Sequence, residues 1–306
     1  MTSSHPAEPD ANVSAAPVAD GPELAGLGVF GTLIESARQT LVMLCYRRVL
    51  TVTPFVLLVM LGLSFVLSGR VGDRLDGLGL FCVITWWTLG TVVVPWMTIY
   101  LGVQALHGEL EDRTSQYLFL RPVHRIPMLL GKWLGITLIS TAIAIAATFA
   151  LWAGVAAHGD LWPDGRELAP AFSFAYVLAA GVVAYSAVAM FLAATFRRPL
   201  AWAAFFVVGV QMVAANLPVS AGLRSLTITD PLRRLLMDQL EPSRRLASYL
   251  WPAERGEALD VFLQEEPAHA LAWGAPLSNL LVFAVVCLLL GCWRYAATEY
   301  ESRSRD

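Results

Sequence analysis

Six long apolar runs constrain what this chain can fold into more than any other feature of its sequence. Each run could cross roughly 30 Å of hydrocarbon as an α-helix, which takes about 20 apolar residues. One charge at the centre of such a helix would oppose insertion by about 3 kcal/mol, and the runs are nearly free of charge. The sequence therefore predicts an all-α integral membrane protein with six transmembrane helices. They are predicted at about Val49 to Leu67, Leu80 to Leu106, Met128 to Ala157, Pro170 to Phe196, Leu200 to Leu217 and Leu271 to Trp293.

The composition and the cysteine positions agree with a membrane protein. The 306-residue chain is 57% hydrophobic and only 15% charged, whereas a soluble domain of this length would need more charged surface. No basic stripe or stacking motif occurs, so nucleic acid is not an expected partner. The four cysteines lie in or beside apolar runs without CxxC spacing, which favours membrane-embedded side chains over disulfides or a metal site.

The segments outside the runs divide the chain further. The first 22 residues contain no Lys or Arg, unlike a secretory signal, which starts with a positively charged region. In the following segment, Val29, Leu33, Ala37, Leu41 and Leu44 have helical spacing. This spacing suits an elbow helix lying in the membrane interface, and an extension of the first span is the alternative. The predicted organisation is a disordered cytoplasmic tail (1–27), the elbow helix (28–48), five spans with a cytoplasmic loop at 107–127 (49–217), an extracytoplasmic helical insert (218–270), and the sixth span with a short cytoplasmic tail (271–306).

Lys and Arg residues predict the orientation, because segments rich in them stay in the cytoplasm. With a cytoplasmic N-terminus, the two short outer loops hold only Arg70, Arg74 and Arg166, and the inner segments hold most of the others. The long outer segment from Pro218 to Ala270 adds six arginines and weakens the contrast. We predict a multi-pass protein of the cell (inner) membrane with both termini in the cytoplasm.

The outer insert contains amphipathic patterns. In "TDPLRRLLMDQL", Asp230 is a candidate N-cap and Pro231 a candidate first helical residue. Leucines then line one face of this helix, and a similar apolar pattern recurs in a second segment. We expect two or more short helices packed on the outer mouth, where they could also bind an extracytoplasmic partner. The apolar positions are Leu232, Leu235, Leu236 and Leu240 in the first helix, and Leu259, Phe262 and Leu263 in the second.

A conspicuously charged stretch, "HGELEDRTSQYLFLRPVHRIPMLLGKWLG" (His107 to Gly135), lies between the second and third runs. Its first part can form a short helix with one apolar face, formed by Leu110, Thr114, Tyr117 and Leu118. The "RPVHR" sequence breaks this helix, and Lys132 is expected to anchor the next span at the headgroups. A short amphipathic helix on the cytoplasmic side is suited to docking into a groove of a soluble partner. A plain interfacial loop is the alternative.

This stretch resembles the signature of ABC transporter permeases of the type-2 exporter family. In that family an acidic residue at the end of the second span precedes a Gly-Thr pair, a leucine-rich turn, Arg-Pro-Val-x-Arg and Gly-Lys. Arg113 replaces the usual Gly before the Thr. The resemblance is nearest to the permeases grouped with nitrous oxide reductase maturation. The matching residues are Glu109, Glu111, Thr114, Leu118, Arg121, Pro122, Val123, Arg125, Gly131 and Lys132.

The resemblance implies an exporter subunit that works with a separate ATPase. The helix from Glu109 to Leu118 would be the coupling helix, inserted into a cleft of that ATPase. A second permease copy, in a homodimer or a heterodimer, would complete the membrane part. ATP and Mg²⁺ would bind the ATPase, and no cofactor is expected on this chain. The residues implied in coupling are Glu109, Glu111, Thr114, Tyr117, Leu118, Arg121, Pro122 and Arg125.

The sequence lacks the motifs that would indicate nucleotide hydrolysis or metal binding by this chain. No GxxxxGK[ST] phosphate loop occurs, since Gly131 and Lys132 are followed by Trp133, so ATP hydrolysis by this chain is not expected. The histidines lack metal-ligand spacing. Four polar residues in or near the spans could contact a substrate, although helix–helix hydrogen bonds explain them equally well: Gln104, Gln211, Asn216 and Asn279. The alternative function is a membrane scaffold or accessory subunit that transports nothing, for example in metalloenzyme maturation.

Overall fold

The computed structural model describes residues 29–44, 50–71, 77–111, 125–158, 168–213, 227–240 and 275–297. The regular elements in these ranges are all helical, as the predicted fold class requires. The predicted tail (1–27) and most of the predicted insert (218–270) lie outside the described residues. The elements are α1 (Val29–Leu44), α2 (Leu50–Val71), α3 (Gly77–Thr85), the π-helical segment π1 (Trp86–Val93), α4 (Val94–Glu111), α5 (Arg125–Ala156), α6 (Ala169–Thr195), α7 (Pro199–Phe205), the π-helical segment π2 (Phe206–Val213), α8 (Thr229–Gln239) and α9 (Ala275–Ala297).

Four of the described helices are long and apolar enough to cross a membrane. They cover Gly77–Leu106, Ile126–Ala156, Ala169–Thr195 and Pro276–Ala297. Two shorter apolar helices, Pro54–Gly69 and Pro199–Met212, coincide with the first and fifth predicted runs. Several helices of one chain thus have spanning dimensions, while the count of six spans stays a prediction.

The connection between α6 and α7 is short and polar. α6 ends at Thr195, α7 begins at Pro199, and Arg197 and Arg198 between them are exposed. The predicted tight turn at these residues is confirmed. Pro199 fits the first position of α7, where its missing N–H leaves no hydrogen bond unmade. Phe196 and Trp202 stack across the turn with ring centroids 4.6 Å apart.

α6 forms the centre of the bundle. It packs against α4, α5 and α9, and most of its side chains are buried. Small residues allow close contact: a Cβ added at Gly102 of α4 would lie 2.5 Å from the Cβ of Ala189 on α6. The outer helices α2 and α9 instead expose large apolar side chains, including Phe55 and Trp293. Extended apolar surfaces of this kind are typical of contact with lipid or another protein.

Candidate functional site

The predicted coupling loop lies between two helices whose ends are described. α4 ends at Glu111 and α5 begins at Arg125. Glu109 also lies in the last turn of α4. For Glu109, Glu111 and Arg125 the structure describes the helical backbone. The roles of all eight coupling residues stay predictions. The other five, which lie outside the described residues, are Thr114, Tyr117, Leu118, Arg121 and Pro122.

α1 docks on the part of α5 that follows the loop. Two glycines of α5 let the helix backbones approach closely. A Cβ added at Gly131 would clash with the carbonyl oxygen of Leu33, and one at Gly135 would lie 2.9 Å from the carbonyl oxygen of Ala37. The hydroxyl of Ser36 donates a hydrogen bond of 2.9 Å to the carbonyl oxygen of Met128. α1 is therefore fixed to the segment of α5 nearest the loop.

The face of α1 that packs on α5 combines part of the predicted stripe with small polar residues. Its buried side chains are Ser36, Thr40 and Leu44, which are small or polar apart from the last. The large apolar side chains Phe30 and Ile34 are 77% and 57% exposed. Of the predicted stripe, Leu44 is buried and Val29 is exposed, and the remaining members, Leu33, Ala37 and Leu41, are half-buried. The predicted position of α1 in the membrane interface stays a prediction.

Lys132 is buried within the bundle, with a relative exposure of 3%, and is not the headgroup anchor that the sequence suggests. The sequence places the start of the third span at Met128, whereas α5 begins at Arg125. Lys132 thus lies about two turns inside the helix, where neighbouring elements pack around it.

One of the four predicted polar pathway residues has a defined role in the structure. Gln211 is buried in π2, and its carboxamide oxygen accepts three hydrogen bonds from α8 and the residue before it. Gln104 is half-buried on α4, and Asn279 is exposed on α9. Asn216 lies outside the described residues. The described part of the chain does not bring these residues together into one polar pathway.

The side chain of Gln211 accepts hydrogen bonds at the N-terminus of α8, where Asp230 is the predicted N-cap. The donors are the backbone N–H groups of Ile228 (3.1 Å) and Thr229 (3.2 Å) and the hydroxyl of Thr229 (2.9 Å). The predicted N-cap at Asp230 is wrong, because α8 begins at Thr229 and Asp230 lies within its first turn. The backbone N–H of Asp230 donates to the hydroxyl oxygen of Thr227 at 3.3 Å. The first N–H groups of a helix lack intrahelical acceptors, and here a different helix supplies one.

The leucine face of α8 is confirmed. Leu232, Leu235 and Leu236 are buried, and Leu240 just beyond the helix is half-buried. A Cβ added at Gly181, in the middle of α6, would lie 3.0 Å from a methyl group of Leu232. α8 therefore lies alongside the middle of α6, deeper than a position at the ends of the spans.

A buried polar cluster surrounds the start of α8, and sequence reasoning missed most of it. The guanidinium carbon of Arg233 lies 5.6 Å from the ring centroid of Trp86, within cation–π range. Tyr185 of α6 interacts with Thr229 and Arg233. Helical spacing places Arg233 on the same face as Leu236 and Leu240, which is a signal that this arginine is buried. We call Trp86, Tyr185, Gln211, Thr229 and Arg233 the α8 polar cluster.

α8 also carries ionisable groups that do not belong to this cluster. The carboxylate of Asp230 accepts a hydrogen bond of 2.9 Å from Nε of Arg234, one turn later. Asp238 lies near the other end of α8, and its partial desolvation raises the pKa of its carboxyl above the ordinary value. Within the described ranges, no group of three or more His, Cys, Asp or Glu residues could hold a metal ion.

Comparison with known proteins gives one result. The family model described as "ABC-2 family transporter protein" matches residues 85–299. The matched region is well over half of the chain and contains the loop at 107–127 and the whole α8 polar cluster, while α1 and α2 precede it. A search of curated proteins found no match.

Proposed function

The chain belongs to the ABC-2 transporter family and is a membrane permease component of an ABC transporter, and we propose that it couples ATP hydrolysis on a separate ATPase to movement of a substrate across or out of the membrane. The family match carries the proposal, because it spans the loop at 107–127 and both flanking helices. The sequence has no Walker A pattern, so ATP and Mg²⁺ would bind the ATPase.

We propose that the segment from Glu109 to Leu118 docks in the ATPase. Tyr117 and Leu118 would be its apolar anchors, since buried aromatic and aliphatic side chains usually dominate such contacts. Glu109, Arg121 and Arg125 would hold the segment against the ends of α4 and α5. The other coupling residues suggested by the resemblance, Glu111, Thr114 and Pro122, would shape the same loop.

The contact of α1 with α5 suggests how movement of this loop would spread. α5 starts at Arg125, and α1 is fixed to it at Met128, Gly131 and Gly135. A displacement of the loop would therefore move the start of α5 and α1 together.

The assembly around the chain remains part of the proposal. A second permease copy would complete the transporter, and the exposed apolar side chains of α2 and α9 are surfaces that lipid or that copy could cover. Export as the direction of transport and a link to nitrous oxide reductase maturation come from the sequence resemblance, and an extracytoplasmic partner comes from the amphipathic patterns of the insert.

The test of the proposed function removes the two apolar anchors. The variant Tyr117→Ala with Leu118→Ala should lose its ATPase during co-purification from membranes, with docking weaker by about 2 kcal/mol or more if both are hot spots. The matched control is Leu168→Ala with Phe172→Ala, an exposed leucine–aromatic pair at the start of α6. Expression level and ATP hydrolysis in the membranes are measured in parallel.

The two candidate functions give opposite results in this experiment. A permease loses both the ATPase and the hydrolysis that depends on this chain when the anchors are removed, while the control retains them. A scaffold that transports nothing retains its partners in both variants. Full retention of ATPase and hydrolysis in the Tyr117→Ala, Leu118→Ala variant would therefore overturn the proposed coupling.

A further inference from the structure

The turn between α6 and α7 carries two arginines without an acidic partner. Arg197 and Arg198 are both exposed, and neither forms an ion pair or a side-chain hydrogen bond with the described residues. Arg38 of α1, which is also exposed, instead pairs with Glu35 at 3.6 Å. Both guanidinium groups of the turn are therefore available to an anion from outside the chain.

The length of α6 places this turn at the edge of a membrane. α6 has 27 residues, so it is about 40 Å long. The hydrocarbon core of a bilayer is roughly 30 Å thick, and the ends of α6 therefore reach the layer of lipid headgroups when this helix crosses it. Because α6 ends at Thr195, Arg197 and Arg198 lie level with the lipid phosphates. The distribution of Lys and Arg predicts the cytoplasmic side for this turn.

The exposed face of α7 changes from charged to apolar with distance from the turn. Arg198, Trp202 and Phe205 follow one another at intervals of four and three residues, so they lie on one side of the helix. Trp202 and Phe205 are 47% and 63% exposed. Stacking on Phe196, with ring centroids 4.6 Å apart, holds the indole beside the turn. This order of guanidinium, indole and phenyl ring matches the boundary between headgroups and hydrocarbon, where tryptophan is enriched.

A lipid matches this face better than a soluble protein does. Val208 of π2 is 46% exposed and continues the apolar surface beyond Phe205, further from the turn. A soluble protein that contacts the arginines would have to enter the hydrocarbon to cover these side chains. The acyl chains of a lipid already lie there, while its phosphate lies at the level of the arginines.

From these observations we propose that Arg197 and Arg198 form a binding site for the phosphate of an anionic phospholipid, whose acyl chains lie along Trp202 and Phe205. Guanidinium groups pair with phosphate oxygens through two parallel hydrogen bonds. A zwitterionic lipid carries a cationic group beside its phosphate, which two arginines without an acidic partner repel. Binding requires neither an ATPase nor a transported substrate, so this inference and the proposed function can fail independently.

The test is a lipid titration of the full chain after detergent has removed its native lipids. Native mass spectrometry gives the apparent Kd for phosphatidylglycerol, which is anionic, and for phosphatidylcholine, which is zwitterionic. The main variant is Arg197→Gln with Arg198→Gln, and Arg197→Lys with Arg198→Lys keeps the charge but loses the planar guanidinium. Arg303→Gln with Arg305→Gln removes the same charge from the C-terminal tail and is the matched control. Trp202→Ala and Trp202→Phe change the aromatic part without changing the charge.

The parent and the tail control should bind phosphatidylglycerol more tightly than phosphatidylcholine. In Arg197→Gln with Arg198→Gln, we expect the affinity for phosphatidylglycerol to fall about tenfold or more, while the affinity for phosphatidylcholine is unchanged. The lysine variant and Trp202→Ala should show smaller losses, and Trp202→Phe should stay close to the parent. Because both arginines are exposed, every arginine variant should remain monodisperse in gel filtration.

Equal affinity of the parent for the two lipids would overturn the inference. An equal loss of affinity in the tail control would also overturn it, because net charge alone would then explain the binding. Displacement of phosphatidylglycerol from the parent by inorganic phosphate would make the turn a site for the free ion instead. Unchanged lipid affinity in Arg197→Gln with Arg198→Gln, together with loss of the co-purified ATPase, would assign the two arginines to the soluble partner.

Discussion

α1 and α8 are two short helices that attach to the same bundle by opposite means. α1 places small and polar residues against α5 and exposes Phe30 and Ile34. α8 buries its leucines against α6 and α9, and a polar side chain of π2 holds its N-terminus. Both helices have an amphipathic sequence pattern, yet α1 leaves Phe30 and Ile34 exposed, whereas the leucines of α8 are buried.

The predicted position of α1 in the membrane interface would account for this difference. Lipid tails are as apolar as leucine, so a helix at the lipid boundary gains little by turning large apolar residues inward. Small residues give α1 close backbone contact with Gly131 and Gly135 instead. α8 lies among other helices, where leucines fill space and the helix end needs an acceptor. In a membrane protein, an amphipathic pattern alone does not tell which face is buried.

The largest effect should come from charges on the buried face of α8. Leu235→Asp with Leu236→Asp places two carboxylates at positions that are 3% and 0% exposed, and we expect local destabilisation of about 4 kcal/mol or more. Limited proteolysis of the purified protein should then cut near α8. Gln239→Asp, on the exposed side of the same helix, is the control. Equal protease resistance of both variants would show that α8 does not pack through its leucines.

A smaller loss of stability is expected from substitutions of the glycines where α1 packs against α5. Gly131→Ala forces a Cβ against the carbonyl oxygen of Leu33, and overpacking of this kind costs about 1–3 kcal/mol. Gly135→Ala should cost less, since its nearest backbone contact is 2.9 Å. Gly62→Ala, whose Cβ would meet nothing within 4 Å, should be neutral or slightly stabilising. Thermal unfolding in detergent measures this order, and equal midpoints for all three would contradict the close contact.

The smallest change in stability should come from the carboxyl of Asp238, an exposed residue near the end of α8. Because desolvation raises its pKa in the folded protein, the charged form is disfavoured there, and the folded state loses stability as the pH rises through that pKa. Asp238→Asn should therefore raise the thermal midpoint slightly at neutral pH. The gain should disappear as the pH falls below the ordinary pKa of 3.8. A gain that persists at low pH would point to a cause other than charge.

The sequence predicts those parts of the fold that depend on local pattern. The apolar runs, the turn at Arg197 to Pro199 and the leucine face of α8 all follow from residues close together in the chain. The helix count of six, the interfacial position of α1 and the coupling roles remain predictions.

The features that the sequence did not reveal depend on distant residues. Gln211 caps a helix that starts 18 positions later, and Arg233 lies over a tryptophan of π1. The wrong N-cap at Asp230 has the same origin, because capping rules consider only neighbours along the chain. Burial of Lys132 depends on where α5 begins and on what packs around it.

One cross-linking measurement tests most directly whether a separate ATPase drives this chain through the loop at 107–127. Tyr117→Cys and, as a control in the insert, Ser243→Cys are introduced singly into a cysteine-free chain. Each variant is treated in membranes with a short bifunctional thiol–amine reagent. An adduct with the ABC ATPase is predicted from Tyr117→Cys and none from Ser243→Cys, because the two positions are predicted to face opposite sides of the membrane. Absence of the adduct from a folded Tyr117→Cys chain, or its formation from Ser243→Cys, would contradict the account.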